Sequence, residues 1–278
     1  MISRDELGAV ATITVRTGYE IPQLGLGTWQ LRGEECIRAV RAAIESGYRH
    51  IDTANAYGNH HEIARAIRES GIGREHLHIT SKAWYEHLSY DLLIAECEQA
   101  LRELKYIDLY LIHWPNRAVS MRETFQAMKA LLNEGKIRMV GVSNYTKAHL
   151  EEALSVSEVP IVTNQVEFHP YLNQSSLLAY CRDRDVVLTA YTPLARGRIL
   201  EDTVLRRIAD ARSRTPAQIV LRWLVQKDII VIPRSKNPTR IRENADIFDF
   251  RLSSEEMEAI NRRNEDLRLV HPSFAEFD

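Results

Sequence analysis

The sequence predicts an α/β protein that folds as a (β/α)8 TIM barrel, and three patterns support this prediction. Short apolar runs typical of strands alternate with longer amphipathic runs typical of helices. Eight such units follow one another at spacings of roughly 25 to 30 residues, and the last is longer. Apolar and polar residues do not alternate cleanly in the strand-like runs, which indicates parallel strands buried on both faces. An open doubly wound sheet is the alternative, but eight units favour a closed barrel.

The individual elements follow in order along the chain. The eight strand-like runs are Leu24–Trp29, His50–Ala54, Leu77–Trp84, Leu109–Trp114, Met139–Asn144, Val162–Phe168, Val186–Leu194 and Ile229–Ser235. Helical periodicity is clear in Glu35–Ile44 and Ser120–Asn133. Residues Thr12–Gln23 alternate with period 2 around a Thr17-Gly18 turn, which predicts a β-hairpin. Because it precedes the first barrel strand, we expect this hairpin to plug the N-terminal end of the barrel.

The composition is that of an ordinary globular protein and argues against several partners. A net charge of −2 over 278 residues gives no electrostatic reason to expect nucleic acid or an anionic membrane. No linker divides the chain, so we expect one domain over residues 1–278. The three cysteines are far apart and show no C-x-x-C spacing, which predicts neither disulfides nor a thiolate metal site. Met1–Glu6 lacks the apolar core of a signal peptide, and no run is long enough to cross a membrane, so we expect a cytoplasmic protein.

Ionisable residues end three successive strand-like runs, where a parallel barrel places its catalytic groups. Asp52 ends the second run and is followed by Tyr57, Lys82 ends the third, and His113 ends the fourth. Taken singly, these residues could be a helix cap, a loop aromatic, a surface lysine and a core histidine. Together they favour a site, because a buried lysine beside a buried aspartate is costly unless the two are paired.

The same strand ends belong to longer motifs that run in order along nearly the whole chain. They are Gly47-Tyr-Arg-His-Ile-Asp-Thr-Ala54, Tyr57-Gly-Asn59, Ser81-Lys82, Asp108-Leu-Tyr-Leu-Ile-His-Trp-Pro115, Gly141-Val-Ser-Asn-Tyr145, Asn164-Gln165 and Ile232-Pro-Arg-Ser235. This set resembles the aldo-keto reductase superfamily. The short connection at 116–120 is similar to the bacterial 2,5-diketo-D-gluconate reductases. The resemblance implies NADPH-dependent reduction of aldehydes, ketones or keto-sugars to alcohols.

The resemblance also implies a catalytic tetrad of Asp52, Tyr57, Lys82 and His113. Carbonyl reduction needs a hydride on carbon, which the cofactor supplies, and a proton on oxygen. We expect Tyr57 to donate that proton, with Lys82 lowering its pKa and Asp52 holding Lys82 charged and oriented. We expect His113 to align the substrate carbonyl.

An extended NADP(H) groove is implied in the same way, and G-x-G-x-x-G is absent from the sequence. The residues expected at the nicotinamide are Ser143, Asn144, Gln165 and, stacked on the ring, Tyr191. Those expected around the 2′-phosphate are Arg234, Ser235, Lys236, Arg240 and Asn244. The other expected cofactor contacts are Thr28, Trp29, Asp52, Thr192, Leu194 and Glu243.

The substrate pocket is expected to have aromatic walls around a few polar groups, which suits small carbonyl compounds. Its expected contacts are Trp29, Tyr57, Trp84, His113 and Trp114. The stretch Arg268–Phe277 resembles the tail that closes over the pocket in relatives. We expect no metal site and, as for many relatives, a monomer.

Two functions of other classes stay open at this point. One is a Schiff-base barrel enzyme with Lys82 as the nucleophile. The other is a noncatalytic barrel that binds the cofactor as a sensor or has a structural role.

Overall fold

A computed structural model describes residues 11–277, which form a parallel barrel with a small hairpin; the prediction about Met1–Glu6 falls outside this range. The strands are β1 (Thr12–Thr14), β2 (Glu20–Pro22), β3 (Gly25–Gly27), β4 (His50–Asp52), β5 (His78–Ala83), β6 (Ile107–Ile112), β7 (Ile137–Ser143), β8 (Ile161–Glu167), β9 (Val187–Tyr191) and β10 (Ile230–Val231). The helices are α1 (Gly33–Glu45), α2 (His60–Ser70), α3 (Tyr90–Leu104), α4 (Met121–Asn133), α5 (Lys147–Val156), α6 (Ser175–Arg182), α7 (Thr203–Arg212), α8 (Pro216–Val225), α9 (Pro238–Ala245) and α10 (Ser254–Asn261).

The strand order distinguishes a barrel from an open sheet. Strands β3 to β10 are neighbours in sequence order, and every pair is parallel. Leu24 forms a parallel bridge with Val231, whose N–H donates to the Gln23 carbonyl at 2.8 Å, so the first and last strands meet. A doubly wound sheet would reverse its strand order at a switch point. The predicted TIM barrel is therefore confirmed.

Each predicted strand overlaps an observed one, but every prediction differs from the structure by one or more residues at one end or both, and β9 ends at Tyr191, before the predicted Leu194. The differences at β6 and β10 have a clear physical reason. Strand β6 begins at Ile107, before the predicted Leu109, because the buried Asp108 is ion-paired to Arg74 at 2.9 Å and so tolerated inside the sheet. Strand β10 ends at Val231, well short of the predicted Ser235. Pro233 lacks the N–H that a longer ladder would need.

The hairpin packs into the N-terminal mouth of the barrel, as predicted. Strands β1 and β2 pair antiparallel, and Gly18 in the connecting turn has a φ of +80°, which glycine adopts without strain. Val15 and Ile21 from the hairpin are buried together with inward-facing barrel residues, among them Leu109 and Met139. Burying each of these aliphatic side chains stabilises the fold by about 1.5–3 kcal/mol.

The helices surround the barrel and bury one apolar face each. Helix α8 is buried over most of its surface and begins with a capping box, in which the Thr215 hydroxyl accepts from the Gln218 N–H. The long connection between β9 and β10 consists of an irregular segment at Ala195–Glu201 followed by α7 and α8. None of the helices within residues 11–277 is long and apolar enough to cross a membrane.

Candidate active site

A large groove opens at the C-terminal ends of the barrel strands. Its volume is about 2520 Å³, and it includes a branch along α3 past Leu92 and Gln99. All the site residues predicted from the sequence line this groove except Lys82. The barrel topology therefore brings together residues that lie as far apart in the sequence as Thr28 and Asn244.

Lys82 and Asp52 form a buried ion pair in which Asp52 lines the groove and Lys82 lies behind it. The Lys82 Nζ donates to Asp52 Oδ1 at 2.6 Å and to the Thr53 carbonyl at 2.8 Å. The other carboxylate oxygen, Asp52 Oδ2, accepts from Gln165 Nε2 at 2.7 Å. Burial lowers the pKa of Lys82, and the charge of Asp52 and the hydrogen bond to it oppose this effect. The pair is thus held in place by three strand ends.

Tyr57 lies next to this pair on the groove side. It ends a short 3-10 turn at Asn55–Tyr57, and Gly58 follows with a φ of +60°. The Lys82 Nζ lies 5.1 Å from the centroid of the Tyr57 ring. Burial and the negative charge of Asp52 raise the pKa of Tyr57 well above its usual value. This direction is opposite to our expectation, because burial disfavours the charged phenolate and the carboxylate of Asp52 repels it.

His113 faces Tyr57 across the same end of the groove. The two ring centroids are 5.7 Å apart, at an interplanar angle of 74°. His113 Nδ1 is buried and has no hydrogen-bond partner within residues 11–277. Burial, and then the positive charge of Lys82, lower the pKa of His113 well below its usual value. The imidazole is therefore neutral at physiological pH and can donate one hydrogen bond.

The residues predicted to hold the nicotinamide form one hydrogen-bonded network. The Asn144 amide donates to the His113 carbonyl at 3.0 Å and to Ser143 Oγ at 3.1 Å, and its oxygen accepts from the Tyr191 hydroxyl at 2.8 Å. Ser143 Oγ donates to the Gln165 carbonyl at 2.8 Å. A carboxamide binding here would have to share these groups, because the Asn144 side chain already makes three hydrogen bonds.

Thr28 and Thr192 both line the groove, and each has a constrained geometry. The buried Thr28 hydroxyl donates to the Asp52 carbonyl at 2.9 Å. Thr192 has a φ of +51°, which is unusual for a β-branched residue. The loop that follows keeps positive φ values at Ala195, Arg196 and Gly197, so the chain turns sharply above the groove.

The far end of the groove carries cationic side chains around the beginning of α9. They are Arg234, Lys236 and Arg240, with Ser235 between them. Asn237 caps the helix by accepting from the Thr239 N–H at 2.9 Å. An exposed pair joins Lys236 to Glu35 at 3.2 Å, and such surface pairs contribute little. Cations at a helix N-terminus fit a phosphate-bearing nucleotide.

Two of the three predicted tryptophans share one aromatic wall. Phe274 from the C-terminal tail lies 5.7 Å from Trp84 and 5.6 Å from Trp114, measured between ring centroids. Phe274 also stacks on Tyr85 at 4.1 Å. Trp29 lies apart from this wall, with the Arg196 guanidinium 5.9 Å from its ring.

Sequence reasoning missed Tyr85 as part of this wall and missed Glu167 altogether. Tyr85 directly follows the predicted Trp84, so its position next to a strand end was a visible signal. Glu167 is an ionisable residue in the otherwise apolar end of the sixth strand-like run, which is the same signal that identified Asp52.

The parallel barrel and the polar cluster at its strand ends define a barrel enzyme. Residues 23–265 match the Aldo/keto reductase family, and the chain belongs to that family. It is therefore an oxidoreductase, of a family that uses nicotinamide cofactors and acts on small carbonyl compounds. The noncatalytic alternative loses its support, since the matching relatives are named as reductases.

Individual relatives and solved structures agree with this assignment. The glyoxal reductase of Bacillus subtilis strain 168 is 44% identical over 261 residues, which cover 93% of this chain and 94% of that protein. The 9,11-endoperoxide prostaglandin H2 reductase of Trypanosoma cruzi strain CL Brener is 42% identical, with 92% and 93% covered. A structure provisionally assigned as a 2,5-diketo-D-gluconic acid reductase B is 39% identical, with a TM-score of 0.93 and 97% and 98% covered. The resemblance stated from the motifs is thus confirmed.

Proposed function

We propose that the protein reduces aldehydes, ketones or keto-sugars to alcohols with NADPH, and that Tyr57 donates the proton. The observation that carries this proposal is the buried Lys82–Asp52 pair beside Tyr57 and His113 at one end of a groove whose other end is cationic. The bound reduced nicotinamide supplies the hydride. The side chains of this protein have to provide the proton, the orientation and the exclusion of water.

A phenol holds its proton at neutral pH, and the raised pKa of Tyr57 keeps it in this form, so Tyr57 is available as a proton donor. Two of the three N–H groups of Lys82 are used by Asp52 and Thr53. In our proposal the third N–H stabilises the negative charge that develops on the phenol oxygen as the proton leaves. Asp52 keeps Lys82 charged despite its burial, which is the condition for this stabilisation.

His113 orients the carbonyl in this proposal. A neutral imidazole donates one hydrogen bond to the carbonyl oxygen and does not compete with Tyr57 as an acid. Trp84, Trp114 and Phe274 form an apolar wall next to His113, with the Trp84 and His113 ring centroids 5.3 Å apart. Such a wall excludes water from the reacting groups.

The preference for NADPH over NADH rests on Arg234, Lys236 and Arg240. A 2′-phosphate beside these side chains would gain charge-assisted hydrogen bonds, and an arginine can bind it through two donors. Kinetics with both cofactors test this preference. We expect the lower KM for NADPH, and a lower KM for NADH would overturn the assignment.

The test of the activity is oxidation of NADPH in the presence of a panel of carbonyl compounds. The panel comprises glyoxal, an aryl aldehyde, an α-diketone and a keto-sugar, with no carbonyl compound as the blank. We expect consumption of NADPH with at least one of them and formation of the matching alcohol. Failure with every member of the panel, in protein that binds NADPH, would contradict the proposal.

The Schiff-base alternative is disfavoured by the position of Lys82. Its side chain is fully buried, makes two hydrogen bonds and does not line the groove. The amine has no open path to a substrate carbon. Borohydride treatment with an aldehyde substrate should therefore leave no adduct on Lys82.

A further inference from the structure

The C-terminal tail, residues 262–277, crosses the groove without forming a helix or strand, and one buried carboxylate binds its backbone. Glu167 is the last residue of β8 and is 0% exposed. The Leu269 N–H donates to Glu167 Oε1 at 2.8 Å, and the Val270 N–H donates to Oε2 at 2.9 Å. His169 Nε2 lies 2.9 Å from Oε1 as a third partner.

These contacts attach the tail to the floor of the site. A buried carboxylate is costly unless donors surround it, and the tail supplies two of the three that Glu167 has among the described residues. In the parallel pairing of β8 with β9, Glu167 lies opposite Tyr191, the residue predicted to stack on the nicotinamide. The attachment point is thus one strand away from the expected cofactor ring.

The tail carries Phe274 from this point to the aromatic wall. A turn closed by the Ala275 N–H and the Pro272 carbonyl at 2.9 Å presents the ring to Trp84 and Trp114. Beyond it, Glu276 pairs with Arg117 at 2.7 Å and with His149 at 3.0 Å. Phe274 therefore lies between two attachments, of which only the one at Glu167 is fully buried.

We infer that Glu167 is a positioning residue for the substrate pocket: by binding the amides of Leu269 and Val270 it fixes Phe274 in the wall and so favours flat, apolar aldehydes. This inference rests on the proposed reductase function. The pocket wall is shared between the barrel and the tail, so its shape depends on how firmly the tail is held. A small aldehyde that does not reach Phe274 gains nothing from this arrangement.

The test compares Glu167→Gln with the wild type on two aldehydes, benzaldehyde and glyoxal. Glutamine keeps the size, but one of its two terminal atoms becomes a donor and cannot accept from an amide N–H. We expect the KM for benzaldehyde to rise roughly tenfold, which is the effect of losing one charge-assisted hydrogen bond. The kcat, the KM for glyoxal and the Kd for NADPH should stay within about twofold of the wild type, as a loss confined to binding of one substrate requires.

A matched control is Glu265→Gln, which makes the same chemical change at an exposed carboxylate near the start of the tail. It should leave all four quantities unchanged. If Glu167→Gln does not fold, Val270→Pro removes one N–H donor while leaving the carboxylate in place, and the same rise in KM for benzaldehyde is expected.

Phe274→Ala provides the mechanistic check. If Glu167 acts through the phenylalanine, the double variant should be no worse for benzaldehyde than Phe274→Ala alone. Additive effects, an equal rise in KM for glyoxal, or a change confined to NADPH binding would each overturn the inference. Absence of NADPH-dependent turnover in the wild type would instead contradict the proposed function, so the two failures are distinguishable.

Discussion

Replacing Lys82 with methionine should destabilise the protein as well as remove its activity. Methionine retains an unbranched chain of similar length but lacks the ammonium that lies 2.6 Å from Asp52 Oδ1. The side chains are 0% and 3% exposed, so the remaining carboxylate would be a buried charge. Of its side-chain partners among residues 11–277, it would retain Gln165, whose Nε2 donates at 2.7 Å.

The size of the loss follows from this geometry. Breaking a buried ion pair by removing one partner costs about 3–5 kcal/mol, because the other charge stays buried and uncompensated. For a chain of this length each kcal/mol lowers the Tm by about 2–4 °C, so a fall of roughly 6–20 °C is expected. The kcat should fall by about 10²–10⁴, the usual contribution of an assisted acid.

The double variant Asp52→Asn with Lys82→Met separates stability from catalysis. It leaves no charge in the buried position, so its free energy of unfolding in urea should recover most of the loss while turnover stays low. The reasoning is refuted if Lys82→Met unfolds within about 1 kcal/mol of the wild type, a cost below the range for a broken buried pair. It is also refuted if the double variant is no more stable than the single one.

Three further predictions concern acid stability, cofactor choice and the hairpin. Burial lowers the pKa of His50 and His78, so the unfolded chain binds more protons below about pH 6.5. The free energy of unfolding should therefore be highest above that pH and fall with acidification, by about 1.4 kcal/mol per pH unit for each histidine. Urea unfolding at neutral and acidic pH measures this fall, and His78→Asn should make it smaller. Arg240→Ala should raise the KM for NADPH about tenfold and hardly change that for NADH, and equal changes would refute a phosphate contact. Ile21→Ala should lower the free energy of unfolding by about 2–5 kcal/mol in the same assay, because this hairpin side chain is 0% exposed. A loss under about 1 kcal/mol would contradict the role of the hairpin as a plug of the barrel.

The barrel could be predicted because its signals are local. Parallel strands are buried on both faces, so each one appears as a short apolar run, and the ends of those runs point to Asp52, Lys82 and His113. The weakest boundary was the last strand, where only Ile230 and Val231 form the ladder. Pro233, two residues later, cannot donate to a ladder, and the polar residues Arg234 and Ser235 follow it.

The features that sequence reasoning missed depend on contacts between residues that are far apart in the sequence. The hydrogen bonds from Leu269 and Val270 to Glu167 join residues 102 and 103 positions apart, so no periodicity reports them. The pKa of Tyr57 is raised, contrary to our prediction, because the phenol is buried and lies near the charge of Asp52, and neither its burial nor this proximity can be read from the sequence. A monomeric state, a cytoplasmic location and a single domain over residues 1–278 stay predictions.

The identity of the proton donor is tested most directly by Tyr57→Phe, measured for both turnover and NADPH binding. If the phenol is the acid, kcat should fall by at least about 10²-fold while the Kd for NADPH, followed by fluorescence, stays close to that of the wild type. A variant that turns over at the wild-type rate would contradict the account, because no proton would then have to come from Tyr57.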